Sequence, residues 1–203
     1  MRKYIVIAFL IVILDLITKQ WIFNHLDLGS ALVLNSFLNI VHFQNTGAAF
    51  SFLSDASGWQ RYFFIVVSLV AIFIIIRLMH QRLKQPLLCL ALAFILGGAI
   101  GNLCDRSFYG FVIDFIYVHY EAYYWPAFNV ADSFISIGVV LILYDAFKNK
   151  NVYSFTRKRG KTGGVLYYEL APNRPDIVLK DLVKILHPEL LVGYEPFFFE
   201  KLK

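Results

Sequence analysis

Four apolar segments, each close to the length of a membrane helix, dominate this sequence. They lie at about Tyr4–Phe23, Tyr62–Leu78, Pro86–Asp105 and Pro126–Phe147. A hydrocarbon core about 30 Å thick needs about 20 apolar residues in helical form. Composition agrees: 59% of the chain is hydrophobic and only 16% is charged, where a soluble domain carries about a quarter charged residues. The fold class expected is therefore an all-α membrane protein with four transmembrane helices. The start, MRKYIVIAFLIVILDLITKQW, resembles a secretory signal. No small-x-small cleavage site follows its apolar run, so a retained first helix is expected.

Lys and Arg orient these spans. Arg2 and Lys3 precede the first; Arg77, Arg82 and Lys84 lie between the second and third. Lys148, Lys150, Arg157, Lys158, Arg159 and Lys161 follow the fourth. The loops 24–61 and 107–125 hold almost none, Arg61 at a span edge being the exception. With four spans every basic segment falls on one side, which the positive-inside rule makes cytoplasmic. Both termini are then cytoplasmic and the two long loops extracytoplasmic. The net charge of +5 reflects this arrangement and does not point to nucleic acid.

The outer loops carry strand patterns. ALVLN and LNIVHFQN read as two short strands about a turn, with Phe37, Asn39, Val41, Phe43 and Asn45 alternating against their neighbours. FVIDFIYVHY reads as another. Together they predict a small β-platform on the extracytoplasmic surface. Tyr123, Tyr124 and Trp125 suit an interfacial aromatic belt. After the fourth span the composition turns polar. The domains expected are a membrane part, 1–148, and a cytoplasmic extension, 149–203, to which the residues assign no role. Within it GGVLYYEL is expected as a strand and PDIVLKDLVKILHPELL as a helix, with apolar spacing at Ile177, Leu182, Ile185 and Leu186.

Polar residues at the outer ends of the spans carry the chemistry. Asp15 and Lys19 are spaced i,i+4 and share a face, which suits a buried ion pair, support for a site, or both. Gly97, Gly98 and Gly101 allow close helix approach. Asn102 and Asp105 share a face on the last turn of the third helix. Arg106 is suited to neutralise a carboxylate or to hold the outer loops. Asn129 and Asp132 repeat that spacing on the fourth helix, about two turns below the surface, with Pro126 in its first turn. Asp114 is flanked by Val112, Ile113, Phe115 and Ile116, poor company for a solvated charge. A carboxylate within a membrane is costly and marks a functional site by default. Two carboxylates outside water cannot both ionise, so Asp114 and Asp132 would share a proton near neutrality and act as acid and base.

Competing chemistries lack their residues. His25, His42, His80, His119 and His187 show no metal-ligand spacing, and no metal or other cofactor is expected. Cys89 and Cys104, 15 residues apart on one predicted helix, lie about 22 Å apart and cannot pair. No phosphate-binding glycine pattern is present. On the residues alone, Asn45-Thr-Gly-Ala-Ala-Phe50 reads as a turn into an interfacial segment. A proton-conducting subunit or a non-catalytic scaffold would use the same aspartates differently. Four spans are few for a transporter, and no inverted repeat is evident.

The sequence resembles lipoprotein signal peptidase, the bacterial type II signal peptidase, over about Arg2 to Phe147. Asp15-x-x-x-Lys19 is similar to the family's first-helix motif and Asn45-Thr-Gly-Ala-Ala-Phe50 to its N-x-G-A-x-F block. Gly97–Arg106 resembles G-G-A-x-G-N-x-x-D-R, Gly110–Phe115 resembles G-x-V-x-D-F, and Phe128–Asp132 resembles F-N-x-A-D. Each block is weak alone; five in order are specific. The resemblance implies an intramembrane aspartic endopeptidase, signal peptidase II, in the bacterial inner membrane, with its active site at the extracytoplasmic face. The implied substrates are prolipoproteins carrying a diacylglyceryl-modified cysteine, cut just before that cysteine. Asp114 and Asp132 would be the catalytic pair, with Asp15, Lys19, Asn45, Gly47, Asn102, Asp105, Arg106 and Asn129 lining or supporting the site. Inhibition by globomycin-type cyclic peptides, contact with membrane lipid and a monomeric state are expected as well. The sequence departs from the family pattern in the fifty or so residues after the fourth span.

Overall fold

The structure, a computed structural model, describes residues 1–47, 58–121, 123–149, 151–161 and 163–202. Ala48, Ala49 and Phe50 of the Asn45–Phe50 block, and Lys150 of the basic segment, lie outside these. The chain forms two compact units, Met1–Leu143 and Tyr144–Lys203.

The first unit is built on helices α1 (Arg2–His25), α2 (Gln60–Gln81), α3 (Pro86–Phe108) and α4 (Val130–Lys148), whose last residues belong to the second unit. Among the described residues these four are long and apolar enough to cross a membrane. They are apolar nearly all round, as helices facing both protein and lipid must be. Phe9, Ile17, Phe73 and Val140 are each more than 60% exposed, the side chains that acyl chains would cover. Helix α3 is central. Half of its most apolar window is buried, against 28% for α1 and 11% for α2 and α4. Its small residues explain this. A Cβ on Gly97 would press on Ala8 O and Ile11 of α1, and one on Gly98 would collide with Ala131 O of α4. Gly138 of α4 meets Ala91 O in the same way. Tyr4, Ala8, Ile75, Met79, Cys89, Leu92 and Leu96 pack as the core between α1, α2 and α3.

A four-stranded sheet in the order β1-β2-β3-β4 joins the helix ends: β1 (Ala31–Val33), β2 (Leu38–Asn45), β3 (Val112–Tyr120) and β4 (Tyr123–Tyr124), antiparallel throughout. The expected strands are present, but the alternation along β2 is broken. Its register against β3 slips between Ile40 and Phe43, and Val41 and His42 are both buried. A bulge of this kind re-aims the side chains beyond it. Three anchors hold the sheet. Ile113 N donates to Asp105 Oδ2 on α3 (3.1 Å). His42 Nδ1 bonds Leu26 O just after α1 (2.8 Å). Phe115 N and Ile116 N both donate to Phe128 O, and Phe128 N donates back to Ile116 O. The last set binds β3 to the chain entering α4.

Helix α4 begins at Val130. Pro126, expected in its first turn, lies four residues ahead of it, because the pairing of Phe128 with β3 keeps that stretch extended. Asp132 is therefore in the first turn of α4, not two turns down.

The second unit contains the two-stranded pair β5 (Tyr153–Ser154) and β6 (Glu200–Lys201), a short α5 (Tyr167–Leu170) and α6 (Pro175–Leu186). GGVLYYEL is not a strand. Only Val165 makes a bridge, to Arg159, after which Tyr167 turns helical and packs against Phe155 and Phe198. Short apolar runs do not separate strand from helix by pattern, and tertiary packing decides. The fully buried Asp181 organises this unit. Its carboxylate accepts from Tyr194 Oη (2.6 Å), Phe197 N (2.8 Å) and Phe198 N (2.6 Å).

Candidate active site

Asp114 lies on β3, and the register explains its direction. It stands opposite Phe43, while Asn45 stands opposite Val112, two residues away on the same face. Diagonal cross-strand neighbours are within reach of each other, and Asn45 Nδ2 donates to Asp114 Oδ2 at 3.1 Å. The Asp114 side chain is 4% exposed.

Asp132 is held by the helix start. Asn129 Oδ1 accepts from Asp132 N (2.9 Å), and Asp132 Oδ2 accepts from Asn129 N (3.2 Å). This is a reciprocal capping box, with Asn129 at the N-cap and Asp132 three residues on. The same Asn129 reaches the other aspartate: its Nδ2 donates to Asp114 Oδ1 at 2.8 Å. From α3, Asn102 Nδ2 donates to Asp132 Oδ1 at 2.9 Å. Asn129 and Asn102 also touch, Nδ2 to Oδ1, at 3.3 Å. With Asn45, two carboxylates and three amides thus form one connected group drawn from β2, β3, α3 and the start of α4.

A second layer stands behind it. Lys19, 1% exposed, lies 2.7 Å from Asp15 and 3.1 Å from Asp105, and donates to Asn102 Oδ1 at 2.9 Å. A buried cation flanked by two carboxylates and an amide oxygen is paired as burial requires. Asp15 Oδ1 also accepts from Ala131 N (2.8 Å), one of the unpaired donors at the start of α4. Gly101, in contact with Asp15, leaves space for it. Arg106 makes no ion pair among the described residues. It donates to Gly47 O (2.8 Å) and its guanidinium lies 5.1 Å over the ring of Phe64. Gly47 N in turn donates to Asn45 Oδ1 (3.0 Å), so Arg106 ties the end of β2 to α3 and aligns Asn45.

Asp114 and Asp132 both open onto one cavity of about 870 Å³, with Asn102 and Arg106 as further polar lining and Phe43, Tyr117, Trp125, Phe128 and Ile135 as apolar walls. Asp15, Lys19, Asp105 and Asn129 stand behind the wall. Burial, and next the nearby charge of Asp132, push the Asp114 carboxyl up to about 7; the bonds from Asn45 and Asn129 pull the other way. Near neutral pH Asp114 is therefore poised between its protonated and ionised forms beside a second carboxyl, a pair suited to acid–base chemistry on a bound water. Among the described residues no cluster of three His, Cys, Asp or Glu is arranged to hold a metal ion.

Every sequence-stated candidate is described, and all ten join this assembly. What sequence reading missed is that Asn129 serves both aspartates and that Trp125 lines the cavity. The spacing Asn129-x-x-Asp132 suits a capping box and would have disclosed the bond between those two residues; the reach of Asn129 to Asp114 comes from the packing of β3 on the start of α4.

The family described as Signal peptidase (SPase) II matches residues 7–148. The lipoprotein signal peptidase of Janthinobacterium sp. (strain Marseille) is 49% identical over 148 residues, 73% of this chain and 90% of that protein. That of Cellvibrio japonicus (strain Ueda107) is 48% identical over 143 residues, 70% of this chain and 84% of its own length. A solved structure described as a bacterial membrane enzyme, determined by the in meso method at 2.3 Å resolution, superposes with a TM-score of 0.67 at 32% identity, covering 73% of this chain and 90% of its own. The chain belongs to the signal peptidase II family of aspartic membrane proteases.

Proposed function

We propose that this protein is an intramembrane aspartic endopeptidase that removes signal peptides from diacylglyceryl-modified prolipoproteins, cutting just before the lipidated cysteine, with Asp114 and Asp132 as its catalytic pair. The carrying observation is that one amide, Asn129, bonds Asp114 and caps the helix turn bearing Asp132, while both carboxylates open onto one cavity. The substrate class follows from the relatives, which are lipoprotein signal peptidases.

In the proposed reaction Asp132, supplied with donors by Asn102 and Asn129, is the base. It takes a proton from a bound water as the water oxygen bonds to the scissile carbonyl carbon. Protonated Asp114 donates to the carbonyl oxygen. The resulting gem-diol collapses when the proton on Asp132 passes to the amide nitrogen and the carbon–nitrogen bond breaks. Asp114 recovers its proton as the carbonyl reforms. No covalent enzyme intermediate arises. Asn45, Asn102 and Asn129 orient the pair; Asp15, Lys19 and Asp105 fix the helices that carry it; Arg106 and Gly47 hold the end of β2.

The distribution of Lys and Arg supports cytoplasmic termini and a site at the extracytoplasmic face of the inner membrane. There a lipid-anchored substrate would present its cleavage site, and a globomycin-type cyclic peptide would compete for the cavity. The test is cleavage of a lipidated precursor by purified, reconstituted protein. General acid–base groups contribute about 10²- to 10⁴-fold, so Asp114→Asn and Asp132→Asn should each lower kcat by at least that much while the protein still inserts. Full activity in either variant overturns the assignment.

A further inference from the structure

We propose that the unit Tyr144–Lys203 is a membrane-surface module that lays an exposed apolar stripe of α6 into an anionic lipid leaflet. Helix α6 is two-faced. Asp181 is fully buried, and Ile177, Val178 and Ile185 are half-buried against the rest of the unit. Leu179, Leu182 and Leu186, spaced i, i+3, i+7 on another face, are 63%, 39% and 71% exposed. The patch continues into Leu190 and Val192, also exposed, and borders a groove of about 430 Å³ walled by Tyr167, Tyr168 and Pro172. Contiguous apolar surface of this kind marks an interaction site.

Charge and attachment identify the occupant. Residues 144–203 contain eleven Lys and Arg against seven Asp and Glu, a net +4 of the +5 of the whole chain. Lys158, Arg159 and Lys161 are exposed, and among the described residues none of them is in an ion pair. They lie on a tight turn closed by Gly160 N to Gly164 O (2.8 Å) and Leu166 N to Lys158 O (3.1 Å). That turn leads directly into Tyr167 and Tyr168 of the groove wall. Basic charge beside an exposed apolar helical stripe is the pattern of an interfacial lipid binder. The unit also begins inside the last turns of α4, a membrane-spanning helix, so a lipid leaflet is always within reach of its first residues. A protein partner would have to be recruited; the leaflet is already there.

The experiment reconstitutes the full chain into vesicles doped with a lipid carrying a photoreactive acyl chain. One set is phosphatidylglycerol with phosphatidylethanolamine, the other phosphatidylcholine alone. After illumination, labelled peptides are mapped. Labelling of residues 176–192 is expected in the anionic vesicles, at least about fivefold above that in phosphatidylcholine, since each surface cation is worth about fivefold in partition. The variant Lys158→Gln/Arg159→Gln/Lys161→Gln should bring labelling in anionic vesicles down to the phosphatidylcholine level, and Leu179→Ser/Leu186→Ser should reduce it by about tenfold or more, the loss expected from removing two buried leucines. Hydrogen exchange at Phe197 N and Phe198 N, both bound to Asp181, verifies that the variants remain folded. Equal labelling in both vesicle types overturns the proposal. So does absence of labelling from both, the result expected if the stripe docks on a protein.

Discussion

Asn129 Nδ2 stands 2.8 Å from Asp114 Oδ1, while the Oδ1 of the same amide caps the backbone of Asp132 at 2.9 Å. One side chain therefore sets the position of a strand carboxylate and the first turn of a helix. Asn129→Ala removes both bonds. The lost cap should cost about 1 kcal/mol of stability. Misplacement of the pair should lower kcat about a hundredfold with little change in KM. Because the Asn129 bond lowers the Asp114 pKa, its removal should also move the alkaline limb of the pH–rate profile upward, a shift that simple destabilisation would not produce.

Activity should fall as pH rises through about 7, where Asp114 loses its proton. Stability should follow a related course. The folded state holds this proton up to about pH 7, whereas an unfolded aspartate releases it near 3.8. Between those values the native state binds more protons, so stability declines with rising pH. Asp114→Asn removes this burden. It should leave thermal stability little changed at pH 4 and raise it at pH 8 by up to about 4 kcal/mol, following 1.36 kcal/mol per pKa unit. A variant no more stable than the parent at pH 8 would contradict the account.

Lys19→Met should be among the most damaging substitutions outside the cavity wall. It leaves Asp15 and Asp105 buried without their cation, a loss of about 3–5 kcal/mol. Thermal unfolding in detergent measures this. Restoring neutrality with Asp15→Asn and Asp105→Asn alongside Lys19→Met should recover part of the stability.

Gly98→Ala tests the α3–α4 approach. The added methyl would collide with Ala131 O, at the start of the turn that carries Asp132. Overpacking of this kind costs about 1–3 kcal/mol, and it should depress cleavage more than the same substitution at Gly164, where a Cβ meets nothing.

Asp181→Asn should loosen the second unit without touching cleavage chemistry. Exchange at Phe197 N and Phe198 N, protected by the Asp181 carboxylate, should accelerate by at least about tenfold, since hydrogen bonds to a charged group are worth about 1.5–3 kcal/mol.

Membrane class, the four spans and the candidate residues were legible in the sequence, because each rests on local signals. Hydropathy over some 20 residues defines a span, and Gly97, Gly98 and Gly101 announce close helix approach before any partner is known. The i,i+4 spacing of Asp15 and Lys19 forecasts the 2.7 Å pair that forms. Two elements were misread where long-range contacts outweighed local pattern. The residues after Pro126 stay extended because Phe128 bonds β3, so α4 starts late. GGVLYYEL turns helical because Tyr167 packs on Phe155 and Phe198.

The sequence by itself determined which residues are costly to place beside lipid, and thus where function concentrates. Only the tertiary structure decided how they meet. Asp114 and Asn45 are 69 residues apart, and their contact depends on the β2–β3 register, which a one-residue slip would invert. Lys19 and Asn102 are 83 apart, and theirs depends on glycines that let α1 and α3 close. Spacing along a chain sets which side chains share a face; which faces touch is settled by burial summed over the whole fold.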